Sequence, residues 1–129
     1  MYRVCTIQKL NIMKEQFVTY EIALKLKELG FNQMYFGTFD EDGHFDLQDF
    51  EQNYDTFPSH MIAAPLYQQV IDWFREKDIV IEVRRNFPKD QYFYTIGSKT
   101  FQHVSESTFN YWKAREQAIL KTIELCQKN

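Results

Sequence analysis

The sequence feature that most constrains the fold is the stretch 60–85, HMIAAPLYQQVIDWFREKDIVIEVRR, in which a helical pattern changes into a strand pattern. Pro65 suits the first helical position, because its missing N–H would have no partner there and its fixed φ is helical. The residues that share one arc at 100° per residue are Leu66, Tyr67, Val70, Ile71, Trp73 and Phe74. The β-branched run at 79–83 fits a pleated surface better than a helix. We therefore predict a helix over 66–77 and a strand over 79–85, packed against each other.

A second helix is predicted between Thr19 and Gly30. The Thr19 hydroxyl can cap a helix start, and Gly30 suits the left-handed position at a helix end. The hydrophobic residues on one face of this helix are Ile22, Ala23, Leu26 and Leu29. Shifted by 48 residues, the pattern matches that of the later helix and places Phe31 opposite Ile79. Because a glutamate is the one identity among the matched positions, shared amphipathic patterning explains the match as well as an internal duplication does.

Each of these two helices leads into a predicted hairpin. The first hairpin consists of strands at 34–39 and 44–47 around an acidic turn that ends in Gly43. The second consists of the strand at 79–85 and a partner at 91–96, joined by residues with turn chemistry.

A final helix is predicted to begin at a cap on Ser105 or Ser107 and to run to about residue 127. Its core-facing residues are predicted to be Trp112, Ile119, Ile123 and Cys126. The order αββ-αββ-α predicts an α+β fold with a four-stranded, mainly antiparallel sheet and with helices packed mainly on one face. Residues 14–129 are predicted to form a single domain, and residues 1–13 an N-terminal extension that is either an edge strand or disordered.

The charge balance argues against a protein that binds phosphate groups along an extended surface. The chain has 15 basic and 18 acidic residues, a formal charge of −3, with the two signs mixed along the sequence, whereas such proteins usually show a basic excess or stripe. The uncharged runs are far shorter than the ~20 residues of a membrane span, and the N-terminus lacks a signal-peptide core. Cys5 and Cys126 lie at opposite ends of the sequence, which predicts reduced thiols, with a disulfide between them as the alternative. We expect a cytoplasmic protein.

No motif in the sequence predicts a catalytic, cofactor-binding or metal site. Residues 38–49 can be aligned with a calcium loop, but Thr38 stands at the first position and Asp49 at the last, where calcium loops have Asp and Glu. We therefore interpret this stretch as the polar tip of a hairpin. The three histidines are dispersed and lack metal-ligand spacing, and the sequence contains no glycine-rich phosphate loop or nucleophile elbow. We expect a noncatalytic protein without a cofactor.

The abundance of aromatic residues predicts a partner-binding surface. Phe, Tyr and Trp make up 17% of the chain, and the region 35–57 holds more aromatic side chains than one face of a small sheet is expected to bury. The candidate partner-binding residues are Tyr35, Phe39, Phe50, Tyr54 and Phe57. Our leading hypothesis is a noncatalytic module that binds an unknown protein partner through this region, with a homodimer as one form of that interaction.

The alternative hypothesis is nucleic-acid binding at the second predicted hairpin. Basic side chains beside aromatic rings could hold a single strand by charge and by base stacking. The candidate residues are Arg84, Arg85, Lys89, Tyr92 and Tyr94. The same basic residues could instead protect an exposed strand edge from unwanted pairing, and this is the interpretation that we favour for them.

Two motifs carry a resemblance to known sequences: YEIALKLKELGF at 20–31 and IAAPLYQQVIDWFREK at 62–77. With the aromatic hairpin between them and the amphipathic helix at the end, the chain resembles a group of small uncharacterised proteins encoded by Bacteroides-type bacteria and by their phages and mobile elements. The resemblance covers residues 14 to about 125. It implies an accessory protein of that setting with the fold described above, and it implies no catalytic residue.

Overall fold

The structure, a computed structural model, describes residues 15–33, 35–52, 61–87, 89–108 and 110–128, with the side chains of 48–52 left out. The chain divides into two compact units, Met1–Gln68 and Gln69–Asn129. The helices and strands are, in order, α1 (Tyr20–Leu29), β1 (Tyr35–Phe39), β2 (Phe45–Gln52), β3 (Ile62–Ala64), α2 (Tyr67–Glu76), β4 (Val80–Asn86), β5 (Gln91–Gly97), β6 (Gln102–Val104) and α3 (Tyr111–Lys128). The predicted α+β class is confirmed. Among the described residues, two three-stranded antiparallel sheets replace the single four-stranded sheet expected from the sequence. The predicted N-terminal extension at 1–13 lies outside the described residues.

The sheet of the first unit has β1 at its centre, between β2 and β3. Gly37 pairs with Leu47 of β2 on one side and with Ala64 of β3 on the other. The sequence analysis assigns no strand to 62–64. All three residues of β3 are buried, and three consecutive buried residues are too few to show the alternation by which a strand is recognised in a sequence.

Helix α1 begins and ends where the sequence predicts. The Thr19 hydroxyl accepts a hydrogen bond from the N–H of Ile22 at 3.3 Å, and Gly30 adopts a left-handed conformation at the other end. The buried residues of the helix are Ile22, Ala23 and Leu26. This agreement reflects capping and periodicity, which depend on residues that are close together in the sequence.

Pro65 does not occupy the first position of α2, as the sequence analysis predicts. The helix begins two residues later at Tyr67, because the chain around Pro65 is extended and pairs with the segment that precedes α1. The N–H of Val18 donates to the carbonyl of Pro65 at 3.0 Å, and the N–H of Tyr67 donates to the carbonyl of Gln16 at 2.8 Å. The buried stripe of α2 is confirmed: Tyr67, Val70, Trp73 and Phe74 are buried.

The sheet of the second unit is a meander with β5 at its centre, between β4 and β6. The register places Ile81 opposite Ile96 and Arg85 opposite Tyr92. The main helical contact of β4 and β5 is with α3, rather than with α2 as the sequence analysis predicts for the strand at 79–85. The strand β6 is not predicted. It has three residues, and its burial pattern, exposed, half-buried and exposed, lacks a hydrophobic signal of its own.

Helix α3 begins later than the sequence predicts. Asn110 is its cap: the side-chain oxygen accepts hydrogen bonds from the N–H groups of Trp112 at 2.8 Å and Lys113 at 3.3 Å. Ser105, one of the two predicted caps, instead accepts from the N–H of Tyr94 at 2.8 Å, and Ser107 lies in the same connection before the helix. The buried residues of α3 are Ala114, Arg115, Ala118, Ile119, Thr122 and Ile123. The predicted core positions Ile119 and Ile123 are confirmed, whereas Cys126 is half-buried and Trp112 is exposed.

Candidate functional site

The structure places two of the predicted partner-binding residues in the core. Tyr35 is 3% exposed and Phe39 is 6% exposed, so neither ring is available to a partner, and this part of the prediction is wrong. The rings are covered because the aromatic side chains of the first unit pack on one another: the ring centroids of Phe39 and Phe45 are 5.7 Å apart. The side chains of Phe50, Tyr54 and Phe57 lie outside the described residues.

The predicted nucleic-acid patch is divided between two faces of the second sheet. Neighbouring residues of a strand point to opposite faces, and directly paired residues share one. Arg85 and Tyr92 are paired and lie on one face, whereas Arg84 is paired with Phe93 and lies on the other. There the Arg84 guanidinium binds Glu82 at 2.8 Å.

Two further residues of the predicted patch have different environments. Tyr94 lies in the core, where burial and, to a smaller extent, the Glu124 carboxylate raise the pKa of its hydroxyl. The Lys89 side chain is exposed. Of the five predicted residues, the structure therefore leaves Arg85, Tyr92 and Lys89 on an accessible surface.

An exposed aromatic surface occurs in the second unit at residues that the sequence analysis does not propose as a site. Phe87 is 70% exposed, Trp112 is 44% exposed and Tyr111 is 37% exposed. Direct contacts and strand pairing connect these rings with two arginines. We define the aromatic–arginine surface as Arg85, Phe87, Tyr92, Tyr111, Trp112 and Arg115.

Each step across the aromatic–arginine surface is a close approach. The Arg85 guanidinium lies 4.6 Å from the Phe87 ring centroid, and Arg85 is paired with Tyr92 across the sheet. The ring centroids of Tyr92 and Tyr111 are 5.7 Å apart, and those of Tyr111 and Trp112 are 5.2 Å apart, both with edge-to-face geometry. The surface is therefore continuous from the turn after β4 to the first turn of α3.

The arginines hold the rings of this surface in place. The Arg115 guanidinium lies 4.7 Å from the Trp112 ring centroid and 5.6 Å from that of Tyr111, and Arg115 is buried. A cation over a ring face contributes about 0.5–1 kcal/mol at an exposed site and about 2 kcal/mol when it is desolvated. The buried Arg115 therefore stabilises the positions of two rings whose outer edges face solvent. Arg85 is oriented in addition by an ion pair with Asp90.

The sequence contained one signal for this surface that the sequence analysis did not use. Arg115 follows Tyr111 by four residues and Trp112 by three, and both spacings bring side chains together on a helix. The sequence analysis instead assigns Trp112 to the core, because its angle around the helix axis matches that of Ile119. That angle is correct, but the pattern does not show where the neighbouring sheet ends. Tyr111 contacts Tyr92, the second residue of β5, so the first turn of α3 lies at the end of the sheet.

The acidic hairpin tip of the first unit brings three potential metal ligands together. One ligand atom from each of Asp40, Asp42 and His44 lies within 4.8 Å of the others. The Asp40 carboxylate, however, already accepts hydrogen bonds from the N–H groups of Asp42 and His44, both at 2.9 Å, and lies 3.2 Å from the His44 ring nitrogen. These hydrogen bonds lower the pKa of Asp40. Residues 38–49 fall on β1, the turn and β2, so the arrangement is that of a hairpin tip whose carboxylate stabilises the turn.

Comparisons complete the description of the site. No helix among the described residues combines the length and apolar character needed to cross a membrane. Searches against protein-family models, curated proteins and solved structures found no match to this chain.

Proposed function

We propose that this protein is a noncatalytic binding module that recognises a protein partner through the aromatic–arginine surface. The observation that carries the proposal is the exposure of Phe87, Tyr111 and Trp112 on one continuous surface, with arginine guanidinium groups stacked on all three rings. The setting that we propose is that of a cytoplasmic accessory protein of phage or mobile-element type, on the basis of the resemblance in residues 20–31 and 62–77.

The composition of this surface is that of a binding hot spot. Trp, Tyr, Phe and Arg are enriched at protein interfaces, and Trp, Tyr and Arg dominate the residues whose loss weakens binding most. Rings that are already held by neighbouring side chains lose little conformational freedom when a partner covers them. Phe87 and Trp112 therefore supply apolar area, and Arg85 and Arg115 supply orientation and charge.

The proposal is tested by a crosslinking pull-down from the lysate of a Bacteroides-type host, with the unaltered chain and with the variants Phe87→Ala and Trp112→Ala. The control is Val104→Ala, because Val104 is 68% exposed and pairs with Thr95, on the opposite face of the same sheet from Arg85. We expect a partner that is retained by the unaltered chain and by the control but lost with each aromatic variant. For a purified partner, each aromatic change is expected to weaken binding by about 2 kcal/mol. Equal retention by all four proteins would contradict the proposal.

A homodimer is tested separately, since a second copy of the chain is one partner that this surface could bind. Light scattering over a range of concentrations measures the mass of the unaltered chain and of Trp112→Ala. A dimer that Trp112→Ala converts to a monomer would identify the partner as a second copy.

Single-stranded nucleic acid is the second candidate ligand, and a specific observation favours it. Exposed rings at Phe87 and Trp112 can stack on bases, and the exposed Lys89 has no ion pair in the described part of the chain and lies in the turn beside Arg85. Fluorescence anisotropy with a labelled oligonucleotide at low salt tests this function. Binding that falls with added salt and that is weakened by both Lys89→Glu and Trp112→Ala would support it. The absence of salt-dependent binding would exclude it.

A further inference from the structure

The second unit contains a cavity that is separate from the aromatic–arginine surface. Its volume is about 450 Å³, and it lies where the end of α2, the turn between β5 and β6 and the last turns of α3 meet. Its polar lining consists of Lys77, Asp78, Ser98, Lys99, Thr100 and Cys126. Phe101 and Ile79 supply the apolar part of the lining. The cavity is thus large enough for a small molecule with both polar and apolar parts.

The charges that line this cavity are mainly positive. Lys77 and Lys99 each carry a positive charge, and neither forms an ion pair in the described part of the chain. The Lys77 ammonium instead lies 4.6 Å from the Trp73 ring centroid. Asp78 contributes the one carboxylate among the described lining residues. The lining therefore has a net charge of one positive unit, and two ammonium groups lack an acidic partner.

The turn between β5 and β6 adds hydroxyl groups to these ammonium groups. The Ser98 hydroxyl oxygen accepts from the N–H groups of Thr100 and Phe101, both at 3.2 Å, and lies 3.3 Å from the Thr100 hydroxyl. These bonds fix both hydroxyls at one edge of the cavity. Hydroxyl and ammonium donors together are suited to the oxygen atoms of an anion.

The ends of the two helices oppose an anion here, but their effect is the smaller one. A helix C-terminus is equivalent to roughly half a negative charge. At the end of α2, the carbonyl of Phe74 accepts from the N–H groups of Lys77 and Ile79, and that of Arg75 accepts from Asp78. Because these capped carbonyls are already hydrogen-bonded, the full positive charges of the lysines dominate.

We propose that this cavity binds a small molecule that carries an oxyanion, a phosphate or a carboxylate, on a partly apolar body. The oxyanion lies between the lysines and the hydroxyls of the β5–β6 turn, and the apolar part lies against Phe101 and Ile79. The proposal does not depend on the protein-binding function.

Cys126 provides a reporter for occupancy, because its thiol lies in the cavity wall. Burial raises the pKa of this thiol, and the positive charge of Lys77 opposes that rise. A bound anion would cover the thiol and offset the Lys77 charge, so both effects would slow alkylation, which requires the thiolate.

The test measures the rate at which iodoacetamide alkylates Cys126 in the Cys5→Ser variant, which leaves one thiol. The probes are sodium phosphate, sodium pyrophosphate and sodium hexanoate, each titrated at constant ionic strength with sodium chloride. We expect saturable protection by at least one probe, and the effective probe distinguishes a phosphate from a carboxylate ligand.

Two added substitutions make the test specific to the cavity. Lys99→Gln removes one exposed ammonium group and is expected to weaken protection about tenfold. Lys89→Gln makes the same change of charge in the turn at the other end of β5 and is expected to leave protection unchanged. Rates that do not respond to any of the three probes, or equal protection in both lysine variants, would overturn the proposal.

Discussion

Gly30 and Asp78 occupy the same left-handed position at the ends of two ten-residue helices that lie 48 residues apart in the sequence. Their φ angles are 93° and 63°. In each case the next residue is buried and donates its N–H to a carbonyl five residues earlier: Phe31 to Leu26 and Ile79 to Phe74, both at 3.0 Å. This is the Schellman arrangement of a helix end. The 48-residue match therefore reaches from the helices through their caps.

The first prediction concerns these two caps. Asp78→Gly should raise the free energy of unfolding by about 0.5–1 kcal/mol, because a residue with a Cβ is strained in this conformation and a carboxylate is unfavourable near a helix C-terminus. Gly30→Ala should lower it by about 1 kcal/mol through backbone strain alone, since an added Cβ would meet no atom within 4 Å. Urea denaturation measures both changes. Asp90→Gly is the control: Asp90 also has a positive φ, of 54°, but it pairs with Arg85, so its gain should be smaller.

The second prediction compares the two tryptophans. Trp73 is 6% exposed and its ring contacts Phe74 at a centroid distance of 5.1 Å, so Trp73→Ala should cost roughly 3–5 kcal/mol of stability. Trp112→Ala should cost about 1 kcal/mol or less, chiefly from the contact with Arg115. Thermal and urea unfolding of both variants measure the difference. Similar losses for the two changes would contradict the assignment of Trp73 to the core and Trp112 to the surface.

The third prediction concerns the close packing of β1. A Cβ added at Gly37 would lie 2.6 Å from the Phe45 ring and 3.1 Å from the Phe17 ring, and these rings already contact each other with a centroid distance of 4.9 Å. Gly37→Ala should therefore destabilise the protein by about 1–3 kcal/mol through overpacking. Gly97→Ala is the matched control, because a Cβ there would meet no atom within 4 Å. Its effect should stay within about 0.5 kcal/mol.

The fourth prediction is a pH dependence of the first hairpin tip. Hydrogen bonds from the backbone N–H groups of His44 and Asp42 lower the pKa of Asp40. A lowered pKa means that the carboxylate stabilises the folded turn above the ordinary carboxyl range and that this contribution is lost as the pH falls through the lowered value. Amide hydrogen exchange of Asp42 and His44 should therefore accelerate in acid, relative to the intrinsic rate. In Asp40→Asn, which keeps an acceptor oxygen but not the charge, this acid dependence should disappear.

The sequence predicts well what depends on neighbouring residues. The limits of α1 follow from the Thr19 hydroxyl and from Gly30, and the buried stripe of α2 follows from the spacing of its hydrophobic residues. The hairpin of β4 and β5 follows from two strand patterns around a turn. Each of these features is determined by interactions over a few residues, which is why pattern and propensity suffice to find them.

The arrangement of the strands depends on pairing between distant segments. Strand β3 pairs with β1 across more than twenty residues of sequence, and β6 pairs with β5 although its own pattern is weak. The match between the α1 and α2 regions ends at the same level: β1, the first strand after its helix, is central in the first sheet, whereas β5, the second strand after its helix, is central in the second. This difference favours shared helix patterning over an internal duplication.

The sequence by itself determined the helices, their caps, the hairpins and the α+β class, because these depend on local backbone preferences and on hydrophobic periodicity. Only the tertiary structure decided which rings are accessible. Tyr35 and Phe39 are covered by side chains distant in sequence, whereas Trp112 extends beyond the end of the sheet that its helix covers. Burial is the sum of contacts from the whole fold, and the same hydrophobic residue can lie in a core or at a binding surface according to where its neighbours end.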